Sequence, residues 1–191
     1  MAKDSAEAVD KPVKKRKNSK AKGSGFENTV AKLLSKGLAP LNFIRTQGSG
    51  ARVGGQNFAT IGKMFGNEAL KLFVGDVVPV NEQQERLRFR FSVETKFYAT
   101  QDHFTALTSG NALIYGWFEE SVADAGKINK NPMLIFKWNH TPTFVAVETG
   151  EETLTTVKPS LVIGRPNSRT LAIYKLEDLL TDPSFWMVRE T

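Results

Sequence analysis

The run Phe91-Ser92-Val93-Glu94-Thr95-Lys96-Phe97-Tyr98 limits what this chain can fold into more than any other segment. β-branched and aromatic residues crowd it, so it reads as a strand. A strand's two-residue period sets Glu94, Lys96 and Tyr98 on one face and Val93, Thr95 and Phe97 on the other. A carboxylate and an ammonium therefore stand side by side on an otherwise apolar strand. A surface ion pair of that kind contributes little to stability, so its interest lies in its neighbours. Upstream, Leu72-Phe73-Val74-Gly75-Asp76-Val77-Val78-Pro79-Val80 is a second apolar run, interrupted by one Gly-Asp step. The polar residues Asn81 to Arg86 between the two runs read as a turn or hairpin. Strands so joined pair antiparallel, which brings Asp76 and Glu94 close enough to share an ion.

The chain has no cysteine, which excludes disulfides, thiolate metal sites and thiol nucleophiles. Its only imidazoles, His103 and His140, are 37 positions apart. A metal, if bound, is then expected on oxygen ligands, which points to Mg²⁺ or Mn²⁺. No run approaches the roughly 18 apolar residues of a membrane span, and no signal-like apolar region follows the N-terminus. The expectation is a soluble, cytoplasmic protein of a bacterial or phage-infected cell, with no membrane partner.

With 191 residues the chain can bury one full core and carry a tail. The formal net charge is +6, and it is uneven: residues 1–22 hold eight Lys or Arg against three acids, residues 23–191 eighteen against seventeen. Residues 1–22 have almost no large apolar side chains, and are expected to be a disordered basic tail. The run Lys14-Lys15-Arg16-Lys17 suits non-specific, salt-dependent phosphate binding. A nuclear-import address, in a eukaryote, and a solubilising segment are alternatives.

Order is expected from Gly23. Ser24 and Glu27 have the spacing of a capping box, and Phe26, Val30, Leu33 and Leu34 form the apolar stripe of a helix stopping near Gly37. Residues 41–46 read as a short strand. It leads into Gly48-Ser49-Gly50-Ala51-Arg52-Val53-Gly54-Gly55, whose four glycines allow sharp bends or a close approach. Flanked by Arg45 and carrying Arg52, the segment suits a phosphate-tracking loop and equally a flexible surface loop; it has no Walker spacing. Residues 57–72 are partly helix-like. Residues 101–125 read as helical, broken at Gly110 and Gly116, with Gln101 and His103 just after the central strand. Strands are expected at Met133–Trp138, Thr143–Val147, Ser160–Ile163 and Leu171–Tyr174, then a short helix at Leu176–Leu180. Trp117, Trp138 and Trp186 read as packing residues.

In chain order, the pattern is a helix-borne glutamate, a strand with Gly-Asp, and a strand with Glu-x-Lys 18 residues later. This set resembles the PD-(D/E)xK nuclease superfamily, and the glycine-rich segment after the first strand is similar to that of archaeal and phage Holliday junction resolvases. The resemblance spans about residues 23–104. Gly75 stands where a proline often precedes the motif aspartate, and residues 53–74 form a longer insertion than compact resolvases carry. The resemblance implies a restriction-endonuclease-like α/β fold, a mixed central sheet flanked by helices, forming one nuclease domain over residues 23–191. It implies Glu27, Asp76, Glu94 and Lys96 as catalytic residues, with Asp76, Glu94 and Glu27 holding Mg²⁺ or Mn²⁺. It implies Arg45, Ser49 and Arg52, with Lys14, Lys15, Arg16 and Lys17, as the DNA contacts. The expected activity is cleavage of four-way or branched DNA by a two-fold homodimer. A same-fold nuclease acting on linear duplex or ends, and a non-catalytic DNA-binding accessory protein, are the alternatives.

Overall fold

The structure, a computed structural model, describes residues 19–46, 72–101, 104–110, 112–164 and 169–189, together with Lys63. Its centre is two long strands, β4 (Phe91–Tyr98) and β5 (Asn131–Trp138), paired in parallel from Phe91↔Asn131 to Tyr98↔Trp138. Parallel neighbours need a crossover. Two helices supply it, α3 (Phe104–Ser109) and α4 (Leu113–Lys127), separated at Gly110, whose φ of 74° suits glycine. Gly116, also expected to break this segment, lies inside α4; a Cβ there would meet nothing within 4 Å.

The other strands extend the sheet on both sides. On one are β2 (Val77–Pro79) and β1 (Phe43–Arg45); on the other are β6 (Phe144–Glu148), β8 (Thr170–Lys175) and β7 (Leu161–Gly164). The order is β1-β2-β4-β5-β6-β8-β7, with every pair but β4–β5 antiparallel. This mixed sheet with helices on both faces is the restriction-endonuclease-like fold expected from the sequence.

Alternation along the strands assigns the two faces. Val93, Met133, Ile135, Val145 and Tyr174 pack with Phe26, Val30 and Leu34 of α1 (Ser19–Gly37). Leu134, Phe136, Ala146 and Ile173 pack with Ile114, Trp117 and Phe118 of α4. Burial on both sides explains why Met133-Leu134-Ile135-Phe136 is apolar without interruption.

Three expectations change. Helix α1 already includes Ser19 rather than starting near Gly23, so residues 19–22 belong to the helix, and Ser24 and Glu27 lie in its interior, not at a cap. Lys and Ala are good helix formers, and Lys22 is held over the Phe97 ring, 5.7 Å from its centroid. Leu33 turns outward, 37% exposed, leaving Phe26, Val30, Ala31 and Leu34 as the buried stripe. Finally, residues 81–86 are not a hairpin. They hold a one-turn helix, α2 (Glu82–Glu85), and Arg86 in the left-handed region leads into β3 (Leu87–Phe89).

β3 leaves the main sheet and pairs with β9 (Met187–Arg189). The chain reaches β9 through two short helices, α5 (Leu176–Leu179) and α6 (Pro183–Trp186), the first where the sequence places it. Phe89, Phe91, Phe185 and Trp186 form a buried aromatic cluster, and the Trp186 indole N–H donates to the Leu179 carbonyl at 3.0 Å. Among the described residues no helix is long and apolar enough to cross a membrane.

Candidate active site

The site forms where the sheet is incomplete. β2 has three residues and meets β4 at Val77↔Val93, so the edge of β4 beyond Val93 has no ladder partner from β2 itself. Asp76, the residue before β2, takes that place. Its N–H donates to the Val93 carbonyl at 2.7 Å, and its carbonyl accepts from the Thr46 N–H at 2.8 Å. Its Oδ2 accepts from the Thr95 backbone N–H at 2.8 Å and the Thr95 hydroxyl at 3.1 Å. A side-chain carboxylate thus does the work of a ladder carbonyl. Continuing the antiparallel register by one residue sets Asp76 opposite Glu94.

Gly75 makes this possible. Its φ of 87° lies in the left-handed region, and a Cβ there would stand 3.0 Å from the Val93 carbonyl oxygen. Glycine satisfies both the turn and the close approach.

On the other face of β4, Glu94 and Lys96 point toward α4. The Lys96 ammonium lies 2.8 Å from Glu94 Oε1 and 2.6 Å from Glu120 Oε2. The Glu94 side chain is 15% exposed. Burial pushes its carboxyl up to about 7, and the charges of Asp76 and Asp124 push the same way, against the hydrogen bond and charge of Lys96. For Lys96, burial works to lower the pKa. The hydrogen bonds and charges of Glu120 and Glu94 outweigh it and hold the ammonium above the ordinary lysine range.

Glu27 reaches the same cleft from α1, and Arg45 of β1 is ion-paired to it through Nε. The cleft has a volume of about 540 Å³ and is lined by Glu27, Asp76, Glu94, Thr95, Lys96, Glu120, Ala123 and Asp124. All four residues expected to be catalytic therefore line one cavity. Arg45, expected as a phosphate contact, is here the counter-charge of Glu27. Ser49, Arg52, Lys14, Lys15, Arg16, Lys17 and His103 lie outside the described residues, and Gln101 is exposed.

Sequence reasoning missed Thr95, Glu120 and Asp124 as site residues. Glu120 and Asp124 are four apart, hence on one helical face, but nothing local says which strand that face covers. Only the parallel β4–β5 crossover carries α4 over Lys96.

Among the described residues, no group of three or more His, Asp or Glu side chains is gathered as a metal cluster. The donor chemistry nevertheless fits a hard divalent cation. Asp76 raises the pKa of Glu94, so the two carboxylates repel, and a cation with oxygen preference relieves that repulsion.

A mixed sheet with an acid delivered by a Gly-Asp step onto a strand bearing Glu-x-Lys is the pattern of the PD-(D/E)xK class of nucleases. The chain belongs to a family within that class: it matches the phage putative PDDEXK endonuclease family over residues 18–180. Neither a curated protein nor a solved structure matches it. The family assignment identifies an endonuclease and does not extend to Holliday junctions.

Proposed function

We propose that the protein is a divalent-metal-dependent DNA endonuclease that cleaves branched DNA by phosphodiester hydrolysis, acting as a homodimer in the cytoplasm of a bacterial or phage-infected cell. The observation that carries this reading is the pinning of Asp76 to the Thr95 amide beside the buried Glu94–Lys96 pair. Asp76 and Glu94, with Glu27 alongside, would hold Mg²⁺ or Mn²⁺. When bound, such an ion lowers the pKa of a coordinated water and neutralises charge on the phosphate oxygens.

The protein's own groups do the rest. Thr95 fixes the Asp76 carboxylate through two hydrogen bonds, so this acid is oriented before any ligand arrives. Lys96, placed between Glu94 and Glu120, supplies a positive charge beside the scissile phosphate. To act as a base it would first have to lose its own proton, a loss that both carboxylates oppose. Arg45 steadies Glu27 from behind. Ser49, Arg52 and the run Lys14 to Lys17 bind the DNA backbone, where contacts position without specifying sequence.

The test is cleavage of a synthetic four-way junction and of the matching linear duplex, each with Mg²⁺ or EDTA, by the full-length protein, Asp76→Asn and Lys96→Ala. The expected result is metal-dependent cutting of the junction in preference to the duplex, lost in both variants. Cutting that survives EDTA or both substitutions removes these residues from the mechanism. Equal cutting of linear duplex keeps the nuclease and removes the branched substrate.

A further inference from the structure

A second cavity, of about 550 Å³, lies on the α1 side of the sheet at the C-terminal ends of β4 and β5. Its lining includes Lys22, Gly25, Phe26, Thr29, Phe97 and Lys137, and none of its lining residues is acidic. Its size falls in the range of about 300–1,000 Å³ usual for small-molecule sites. Phe97 is half-buried and packs on Phe26 with centroids 5.6 Å apart. Lys137 is its register partner on β5, so both side chains leave the sheet on the same face. The Lys22 ammonium stands over the Phe97 ring. An aromatic surface with two ammonium groups and no carboxylate is complementary to a ligand that is flat and apolar at one end and anionic at the other.

Phe97 directly follows Lys96 but points to the opposite face of β4. The end of this strand therefore separates the Lys96 side of the catalytic cleft, toward α4, from the aromatic cavity, on the α1 side. We propose that the cavity receives one unpaired nucleobase of the DNA, adjacent to the phosphodiester being cut, stacked on Phe97 with Lys22 and Lys137 on its flanking phosphates. This rests on the nuclease reading given above.

A base inside intact duplex is stacked on both faces and paired at its edge, so only an unpaired or extruded base enters such a pocket at low cost. The Lys22 ammonium moves from the ring to the phosphate as the base takes its place. Other occupants fit less well. The basic segment before α1, with six Lys or Arg against three acids over residues 1–18, is repelled by Lys22 and Lys137. A purely apolar peptide would desolvate both ammonium groups without pairing them.

The test uses full-length protein without divalent metal, so that binding is read apart from cleavage. The probes are two duplexes carrying 2-aminopurine at one position, fully paired in one and in a single-nucleotide bulge in the other. The expected result is a fluorescence change confined to the bulged probe, and affinity for it roughly tenfold above that for the paired probe, the order that one base–aromatic stack supplies. Gly25→Trp fills the cavity from a helical position where a Cβ meets nothing within 4 Å, and should abolish the difference between probes. Lys137→Glu, at a half-buried rim position, should reduce it several-fold. Equal affinity of the wild type for both probes, or an undiminished preference in either variant, overturns the proposal. Cutting with Mg²⁺ but no preference removes the base pocket alone. Preference without cutting of any DNA removes the nuclease reading and leaves the pocket.

Discussion

Glu94 is the residue whose environment is most at odds with its chemistry. Its carboxyl is held at about 7 when folded against 4.5 in a free chain. Between those values the folded protein carries a proton that the unfolded chain has released. Metal-free stability is therefore highest near and below pH 4.5 as far as this group is concerned, and falls as pH rises toward 7, by up to about 3 kcal/mol. Glu94→Gln keeps the shape and cannot ionise. Urea midpoints in EDTA at pH 5 and pH 7.5 should show the wild type losing stability relative to Glu94→Gln at the higher pH. Millimolar Mg²⁺ should restore the wild type and leave the variant unmoved.

The neighbouring Thr95 tests the other acid. Thr95→Val removes one of the two donors on Asp76 Oδ2 while the backbone N–H stays. Folding should suffer by no more than about 1.5 kcal/mol, whereas Mg²⁺ affinity, read as the metal concentration giving half-maximal cleavage, should weaken by roughly tenfold. These residues differ in how openly the sequence shows them. Glu94 and Lys96 are legible from a period of two, and Asp76 from a Gly-Asp step in an apolar run. Thr95 is hidden, because its role is fixed by the short length of β2 rather than by any local pattern.

At the scale of elements, apolar runs bounded by polar residues locate β5, β6, β7 and β8 to within two residues at each end and give no sign of β9. β5 is the easiest of them to read, since burial on both faces leaves Met133 to Phe136 without a polar interruption. The segment between Pro79 and Phe91 was misread because its polar residues are not a turn but a helix with a job. Glu82 Oε1 accepts the Phe89 N–H at 2.6 Å, and the Lys130 ammonium lies 3.4 Å from the same carboxylate. That contact ties α2 to β3 and to the start of β5, a link 48 residues long that no local spacing predicts. Glu82→Ala leaves the Phe89 amide and the Lys130 ammonium, with a side chain only 9% exposed, without this acceptor. It should cost about 1–3 kcal/mol in chemical denaturation, with the small β3–β9 sheet losing amide-exchange protection before the central strands.

For the whole molecule, the decisive quantity is where charge sits relative to the cleft. Residues 23–191 hold eighteen cationic against seventeen anionic side chains, and residues 1–22 supply the surplus. In the described residues, the cations nearest the site are engaged: Lys96 by Glu94 and Glu120, Arg45 by Glu27. On the proposed reading, long-range attraction for DNA comes largely from the N-terminal run. Each phosphate neutralised contributes a slope of about −0.9 in log affinity against log salt on duplex DNA. Replacing Lys14, Lys15, Arg16 and Lys17 with alanine should flatten the measured slope by about 3 to 4. Because phosphate contacts carry no sequence information directly and both substrates are built of duplex arms, affinity should fall by a similar factor for a four-way junction and a linear duplex. Fluorescence-anisotropy titrations in EDTA between 50 and roughly 200 mM salt, the range over which such slopes are commonly resolved, check both. A selective loss for the junction would show that this run reads branch geometry, and would move recognition of the substrate from the folded domain to the tail.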